Sequence, residues 1–202
     1  RRVDPTLPSD LHRLLEAGPS ALRAARKALD GAEDAIDAQA VRIIAPISDP
    51  EKVICIGLNY ADHARETKMA VPSEPIVFAK YASAIIGPGD AIVLPATSQK
   101  VDHEAELVAV IGIGGRDIPE SQALDHVAGY TVMNEGSARE WANRGTQNTP
   151  AKNFFKSGAI GPWMVTADEV GDPGRLRIVT RLNGEKVQDG GADSSCRLSI
   201  DV

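Results

Sequence analysis

From residue 53 to residue 191, apolar runs are short and each is soon cut by glycine or proline; the chain holds 18 Gly and 13 Pro in 202 residues. Runs such as "KVICIGLNY", "PIVFAK", "AIVLPA", "ELVAVIGIG", "VAGYTVMN", "PWMVTADEV" and "RLRIVTRLNGEKVQDGG" are too short for amphipathic helices and fit strands bounded by turns. Only "PESQALDHV" and "SAREWANRG" have helical character in this stretch. Many short strands with few helices predict an α+β, mostly β fold with a mixed sheet rather than a doubly wound one. Asn183-Gly184 in "LNGEKV" predicts a two-residue hairpin turn.

The first 48 residues are organised differently. Residues 9–30 predict two short amphipathic helices, the first capped by Ser9 or Asp10, the second entered at Pro19 and stopped at Gly31. "VRIIAPI" (41–47) then predicts a strand. The expected division is a lead-in over 1–48 and a functional body over 49–202.

A net charge of −6 and a pI near 5.2, with no Lys/Arg cluster, exclude nucleic acid and anionic membrane as main partners. No apolar stretch approaches the roughly 18 residues of a membrane span, and the first residues lack the apolar core of a signal peptide, so a cytoplasmic setting is expected. The chain begins without Met, as a trimmed or fragmentary end would. Cys55 and Cys196 form neither a disulfide framework nor a metal-ligand spacing and are expected as buried or idle thiols.

The chemistry concentrates in "VDHEAELVAVIGIGG" (101–115). On a strand, Glu104 and Glu106 share one face with Cβ atoms roughly 6–7 Å apart. Two like charges at the edge of a core call for a cation between them. A hard divalent ion meets that need, and so does a bridging Lys or Arg. His103 falls on the opposite face, and His12 and His126 belong to amphipathic helices. A third carboxylate, Glu135, ends the strand "VAGYTVMNE", and Ser137-x-x-Glu140 has the pattern of a capping box that starts a helix at Ser137. Glu135 suits a third ligand, or a salt bridge to Arg139. In "GLNYADHARE", His63 and Glu66 lie three apart, on one side of a helical turn: the composition of a general base with its orienter, or of a surface His beside a Glu. Lys152 sits in a Gly/Pro-rich loop where it could hold a substrate carboxylate or oxyanion. "GIGGRD" (112–117) lacks the last glycine of a dinucleotide fingerprint and predicts a loop.

In order along the chain, "KVICIGLNYADHARE", "PSEPIVFAKYASAIIGPGDAIVLP", "VDHEAELVAVIG", "DHVAGYTVMNEGSARE", "AKNFFKSGAIGPWMVTADE" and "LNGEKVQDGG" resemble the fumarylacetoacetate hydrolase family. The resemblance implies a mostly-β roll with a mixed sheet, assembled as a homodimer. It implies Mg²⁺ or Mn²⁺, with Ca²⁺ as a possible substitute, held by Glu104, Glu106 and Glu135. It also implies a His63–Glu66 dyad that activates water or shuttles a proton, and Arg139 and Lys152 on the substrate's carboxylate or keto oxygens. Family members of this kind cleave C–C bonds in acylpyruvates and β-diketo acids, and others isomerise, decarboxylate or hydrate related 2-hydroxy-dienoic diacids.

Some positions depart from the family's usual phrasing. Glu135-Gly136 stands where Asp-Val is usual, and an extra methylene must displace ion or strand by about 1 Å. Ala151 replaces Gly, Phe155 replaces Asp, and Ala142 stands where Gln is frequent. The chain ends at "SSCRLSIDV", several strands before the family domain would, so a C-terminally incomplete domain is expected. The first expectation is a metal-dependent hydrolase of a small acylpyruvate or β-diketo acid, with the isomerase or decarboxylase chemistry as its alternative. From another class comes a degenerate member that serves only in binding or assembly.

Overall fold

The computed structural model describes residues 4–31 and 36–192. Helix α1 (Leu11–Glu16) is capped by the Asp10 carboxylate, which accepts from Arg13 N at 2.8 Å. Helix α2 (Gly18–Asp30) has proline in its first turn and Gly31 as its C-cap. The expected strand over 41–47 does not form. This segment runs without a ladder partner against Gly87, where a Cβ would lie 2.9 Å from Ile44 Cα. The stretch over 91–96 likewise forms no ladder.

The body follows in chain order: β1 (Val53–Gly57), α3 (Ala61–Glu66), β2 (Ile76–Lys80), β3 (Ile85–Ile86), β4 (Val101–Asp102), β5 (Ala105–Ile111), β6 (Val127–Glu135), β7 (Ser137–Ala138), α4 (Arg139–Ala142), α5 (Thr149–Lys152), β8 (Gly158–Thr166), α6 (Ala167–Val170), β9 (Arg177–Leu182) and β10 (Glu185–Gly191). The central sheet is mixed, in the order β3-β8-β6-β5, with β3 parallel to β8 and the other pairs antiparallel. β1 pairs with β2, and β4 with β7. β9 and β10 form the expected hairpin; Asn183 (φ 52°) and Gly184 (φ 87°) take the left-handed conformation that a two-residue turn requires. Ala45 packs with Met133 of β6 and Ile160 of β8 in a buried hydrophobic cluster, with Ile85 and Val108 against it.

Two helical expectations change. Residues 120–126 form a 3₁₀ helix, and the Ser137 capping box is not used. Ser137 pairs with Asp102 in the β4–β7 ladder, so the helix starts only at Arg139, with Ala138 as an N-cap that supplies no side-chain bond. The Arg139 amide, which a serine cap would have served, donates instead to the Lys100 carbonyl at 2.8 Å. The 112–117 glycine-rich stretch is a loop; Gly112 N and Ile113 N donate to the His126 carbonyl at 2.8 and 3.2 Å.

Candidate metal centre

β5 and β6 bring the three carboxylates together. Their register pairs Ala105 with Asn134 and Glu106 with Met133, and Glu135 N donates to the Glu104 carbonyl at 2.8 Å. Glu104, just ahead of β5, therefore lies opposite Glu135, and Glu106 is diagonal to it on the same face, as period-two alternation requires. One oxygen from each of Glu104, Glu106 and Glu135 lies within 4.8 Å of the others. Glu135 is only 4% exposed. Its partner across the ladder is Gly158, where a Cβ would run into Met133 and the Lys80 stem. That missing side chain gives the Lys80 stem and the Met133 methyl room to pass.

Cations of the chain itself compensate this cluster. The Lys152 ammonium, at the end of α5, donates to Glu104 Oε2 and to Glu135 Oε2, the latter at 3.0 Å. Lys80, the last residue of β2 and buried, stands 3.6 Å from Glu135 Oε1 and donates to Ser157 Oγ at 3.1 Å and to the Lys152 carbonyl. Arg139 Nη1 is 2.7 Å from Glu104 Oε1, while its Nε and Nη2 donate to Asp102 Oδ2 at 3.1 and 2.9 Å. The Cys55 thiol donates to Glu135 Oε1 at 3.4 Å.

The proton equilibria follow from this layout. Burial, and then the charges of Glu104 and Glu135, push the Glu106 carboxyl up to about 7. For Lys152, burial opposes the charge, but Glu104 and Glu135 outweigh it and hold the ammonium above its ordinary range. For Lys80 burial wins, and its pKa is lowered. Burial and the charge of Glu106 raise the Tyr60 phenol to about 12. Burial, reinforced by Glu135, keeps the Cys55 thiol protonated, so it is no nucleophile.

This donor set suits a hard divalent cation. Oxygen ligands of this kind favour Mg²⁺, Mn²⁺ or Ca²⁺. Lys152 serves Glu104 and Glu135, whereas Glu106 makes no ion pair among the described residues and has its carboxylate form penalised. The group thus presents one under-compensated carboxylate beside two compensated ones, and a divalent ion would neutralise it.

Lys152 and Arg139 both meet the carboxylates. His63 and Glu66 sit on α3, exposed, and among the described residues the His63 ring makes no hydrogen bond or ion pair. His103 stands outside the cluster, its Nδ1 3.6 Å from Asp102 Oδ1. His12 lies 3.1 Å from Asp49, and His126 Nδ1 2.8 Å from the Ile113 carbonyl. Cys196 falls outside the described residues. Four participants escaped sequence reasoning. Alternation in "IVFAK" places Lys80 on the buried face of Phe78, a visible signal. Tyr60, whose hydroxyl accepts from Leu107 N at 3.2 Å and which favours the carboxylate form of Glu106, gave none; nor did Asp102 or Ser157.

A family model described as "Fumarylacetoacetate (FAA) hydrolase C-terminal" matches residues 52–197. The chain belongs to the fumarylacetoacetate hydrolase family. Within the family it is 47% identical over 188 residues to "Oxaloacetate tautomerase fahd2, mitochondrial" of Xenopus laevis, an alignment of 92% of this chain and 59% of that protein. The chain therefore spans about three-fifths of the length of this relative. Among solved structures it resembles the fumarylacetoacetate hydrolase of Exiguobacterium antarcticum, with a TM-score of 0.74 and 37% identity over 86% of this chain and 62% of that one. It also resembles the maleylpyruvate hydrolase of Sphingobium sp. SYK-6 in complex with manganese (II) ion and pyruvate, with a TM-score of 0.77 and 28% identity over 96% and 68% of the two chains. Glu135, an Asp in the family's usual phrasing, still reaches the other two carboxylates. Among the described residues no helix is long and apolar enough to cross a membrane.

Proposed function

We propose that Glu104, Glu106 and Glu135 hold Mg²⁺ or Mn²⁺ and that the protein catalyses keto–enol tautomerisation of a small 2-oxo dicarboxylic acid of the oxaloacetate type. The observation that carries this is the convergence of three carboxylates within 4.8 Å, flanked by Lys152 and Arg139. The tautomerase relative supports the substrate class. When bound, the metal supplies Lewis acidity to the oxygens of a 2-oxo acid. Arg139 binds the distal carboxylate of the substrate with its partly exposed guanidinium. His63, exposed on α3, takes the proton from the carbon beside the carbonyl, and Glu66, one turn on, would orient the ring once substrate brings the two side chains together. Lys152 Nζ offsets the charge that grows on the carbonyl oxygen and gives that oxygen its proton, so the proton count closes.

Hydrolytic C–C cleavage of an acylpyruvate is the second reading, favoured by likeness to the maleylpyruvate hydrolase. There His63 would act on water instead of carbon. The intact carboxylate cluster counts against a purely binding or assembly role. The catalytic body is taken to run from residue 49 behind the 1–48 lead-in, working as a homodimer in an aqueous compartment, cytoplasmic or mitochondrial.

The test is the decay of enol-oxaloacetate absorbance with Mg²⁺ or Mn²⁺, against a protein-free metal blank. The wild type is expected to accelerate decay, Glu106→Gln to lose both metal binding and rate, and His63→Ala to lose rate while binding Mn²⁺ normally. Pyruvate release from acylpyruvates without tautomerisation would select the second reading. No rate above the blank on either substrate class would overturn both.

A further inference from the structure

Arg139 is shared between two carboxylates of different standing. Glu104 is a candidate metal ligand with its side chain 17% exposed; Asp102 is half exposed and outside the trio. Asp102 Oδ2 accepts from both Nε and Nη2 of Arg139, leaving Nη1 alone for Glu104. Asp102 is itself fixed. Its backbone pairs with Ser137 in the β4–β7 ladder, Arg139 N donates to the Lys100 carbonyl at 2.8 Å, and His103 N donates to Asp102 Oδ1 at 3.0 Å. The two short strands thus bring the Asp102 carboxylate and the Arg139 guanidinium side by side.

A guanidinium released from Asp102 would turn its planar fork onto Glu104 and bind it through two nitrogens, the geometry that arginine prefers with a carboxylate. Glu104 would then be held more tightly by an internal cation, and any metal would have to displace more of it. We infer that Asp102 is a positioning residue that, by taking Nε and Nη2, limits Arg139 to a single-nitrogen contact with Glu104, so that a divalent cation competes with one guanidinium nitrogen at Glu104 and not with the whole fork. The inference rests on the reading of Glu104, Glu106 and Glu135 as metal ligands.

The test is Mn²⁺ affinity by titration calorimetry on the full chain, with folding checked by circular dichroism. Four proteins are compared: wild type, Asp102→Asn, Arg139→Gln and the double variant. Asp102→Asn is expected to bind Mn²⁺ roughly threefold to tenfold more weakly although it removes no ligand. Arg139→Gln is expected to bind at least as tightly as the wild type. In the double variant the loss caused by Asp102→Asn disappears. Should Asp102→Asn fold poorly, Asp102→Ser in the same cycle gives the same readout. Equal loss from Asp102→Asn with and without Arg139 would mean that Asp102 acts only through local structure, and overturns the inference. Unchanged affinity in Asp102→Asn overturns it as well, while leaving the metal reading standing. Absence of Mn²⁺ binding in the wild type would bring down both together.

Discussion

The Lys152 ammonium donates to Glu135 Oε2 at 3.0 Å and at the same time to Glu104, so a lysine from α5 stands between carboxylates at facing ends of β5 and β6. A cation of the chain itself occupies the position that carboxylates so close together demand, and a divalent ion must compete with it.

Lys152→Met removes that cation and, among the described residues, leaves Glu104 and Glu135 with the ion pairs to Arg139 and Lys80. Breaking a buried pair from one side costs about 3–5 kcal/mol. The metal-free variant is expected to melt well below the wild type, with Mn²⁺ restoring more stability to it than to the wild type. Thermal unfolding with and without Mn²⁺ checks this; equal melting of the two metal-free proteins would contradict it.

The Glu106 carboxyl, at 4.5 in its ordinary state and about 7 in the fold, makes the folded protein hold an extra proton between those values. Its contribution to stability is therefore full below 4.5 and lost as pH rises through about 7, roughly 3 kcal/mol in all. Relative to Glu106→Gln, the metal-free wild type should lose stability over that window, as measured by urea unfolding at several pH values. Mn²⁺ affinity should run the other way, rising about tenfold per pH unit up to 7 as the competing proton leaves. A flat difference between the two proteins across the window would refute the assignment.

Tyr60 joins α3 to this equilibrium. Its hydroxyl favours the Glu106 carboxylate over the protonated form and accepts from Leu107 N at 3.2 Å. Tyr60→Phe is expected to cost about 1–2 kcal/mol through the stranded amide. It should also move the pH midpoint of Mn²⁺ binding upward. Loss of stability with an unmoved midpoint would mean that the phenol serves the backbone alone.

Gly158 faces Glu135 across β6 and β8, where any Cβ would collide with Met133 and Lys80. Gly158→Ala should destabilise by roughly 1–3 kcal/mol through overpacking. It should weaken Mn²⁺ binding too, because a displaced Lys80 stem moves the ammonium that stands 3.6 Å from Glu135 Oε1. A variant with native melting and native affinity would show that the lysine stem yields freely.

What the sequence determined by itself is what local periodicity and turn chemistry control. Alternation placed Glu104 and Glu106 on one face, Asn183-Gly184 set the β9–β10 hairpin, and Asp10, Pro19 and Gly31 bounded the two leading helices, since each depends on residues close in the chain. The ordered resemblance over most of the chain made the family legible, and residues 52–197 match it. Where local rules failed, a distant partner had intervened. The capping box at Ser137 lost to a ladder with Asp102, and the apolar run over 41–47 found no strand to pair with.

Only the tertiary structure decided what sits among the glutamates. Lys152 reaches Glu104 from 48 residues away, Lys80 supports the Lys152 carbonyl across 72, and Cys55 reaches Glu135 across 80. No spacing in the sequence encodes such meetings. They arise because burial in a shared low-dielectric interior leaves a charge stable only beside its complement, and the packing of β2, α5 and the central sheet chooses which complement arrives.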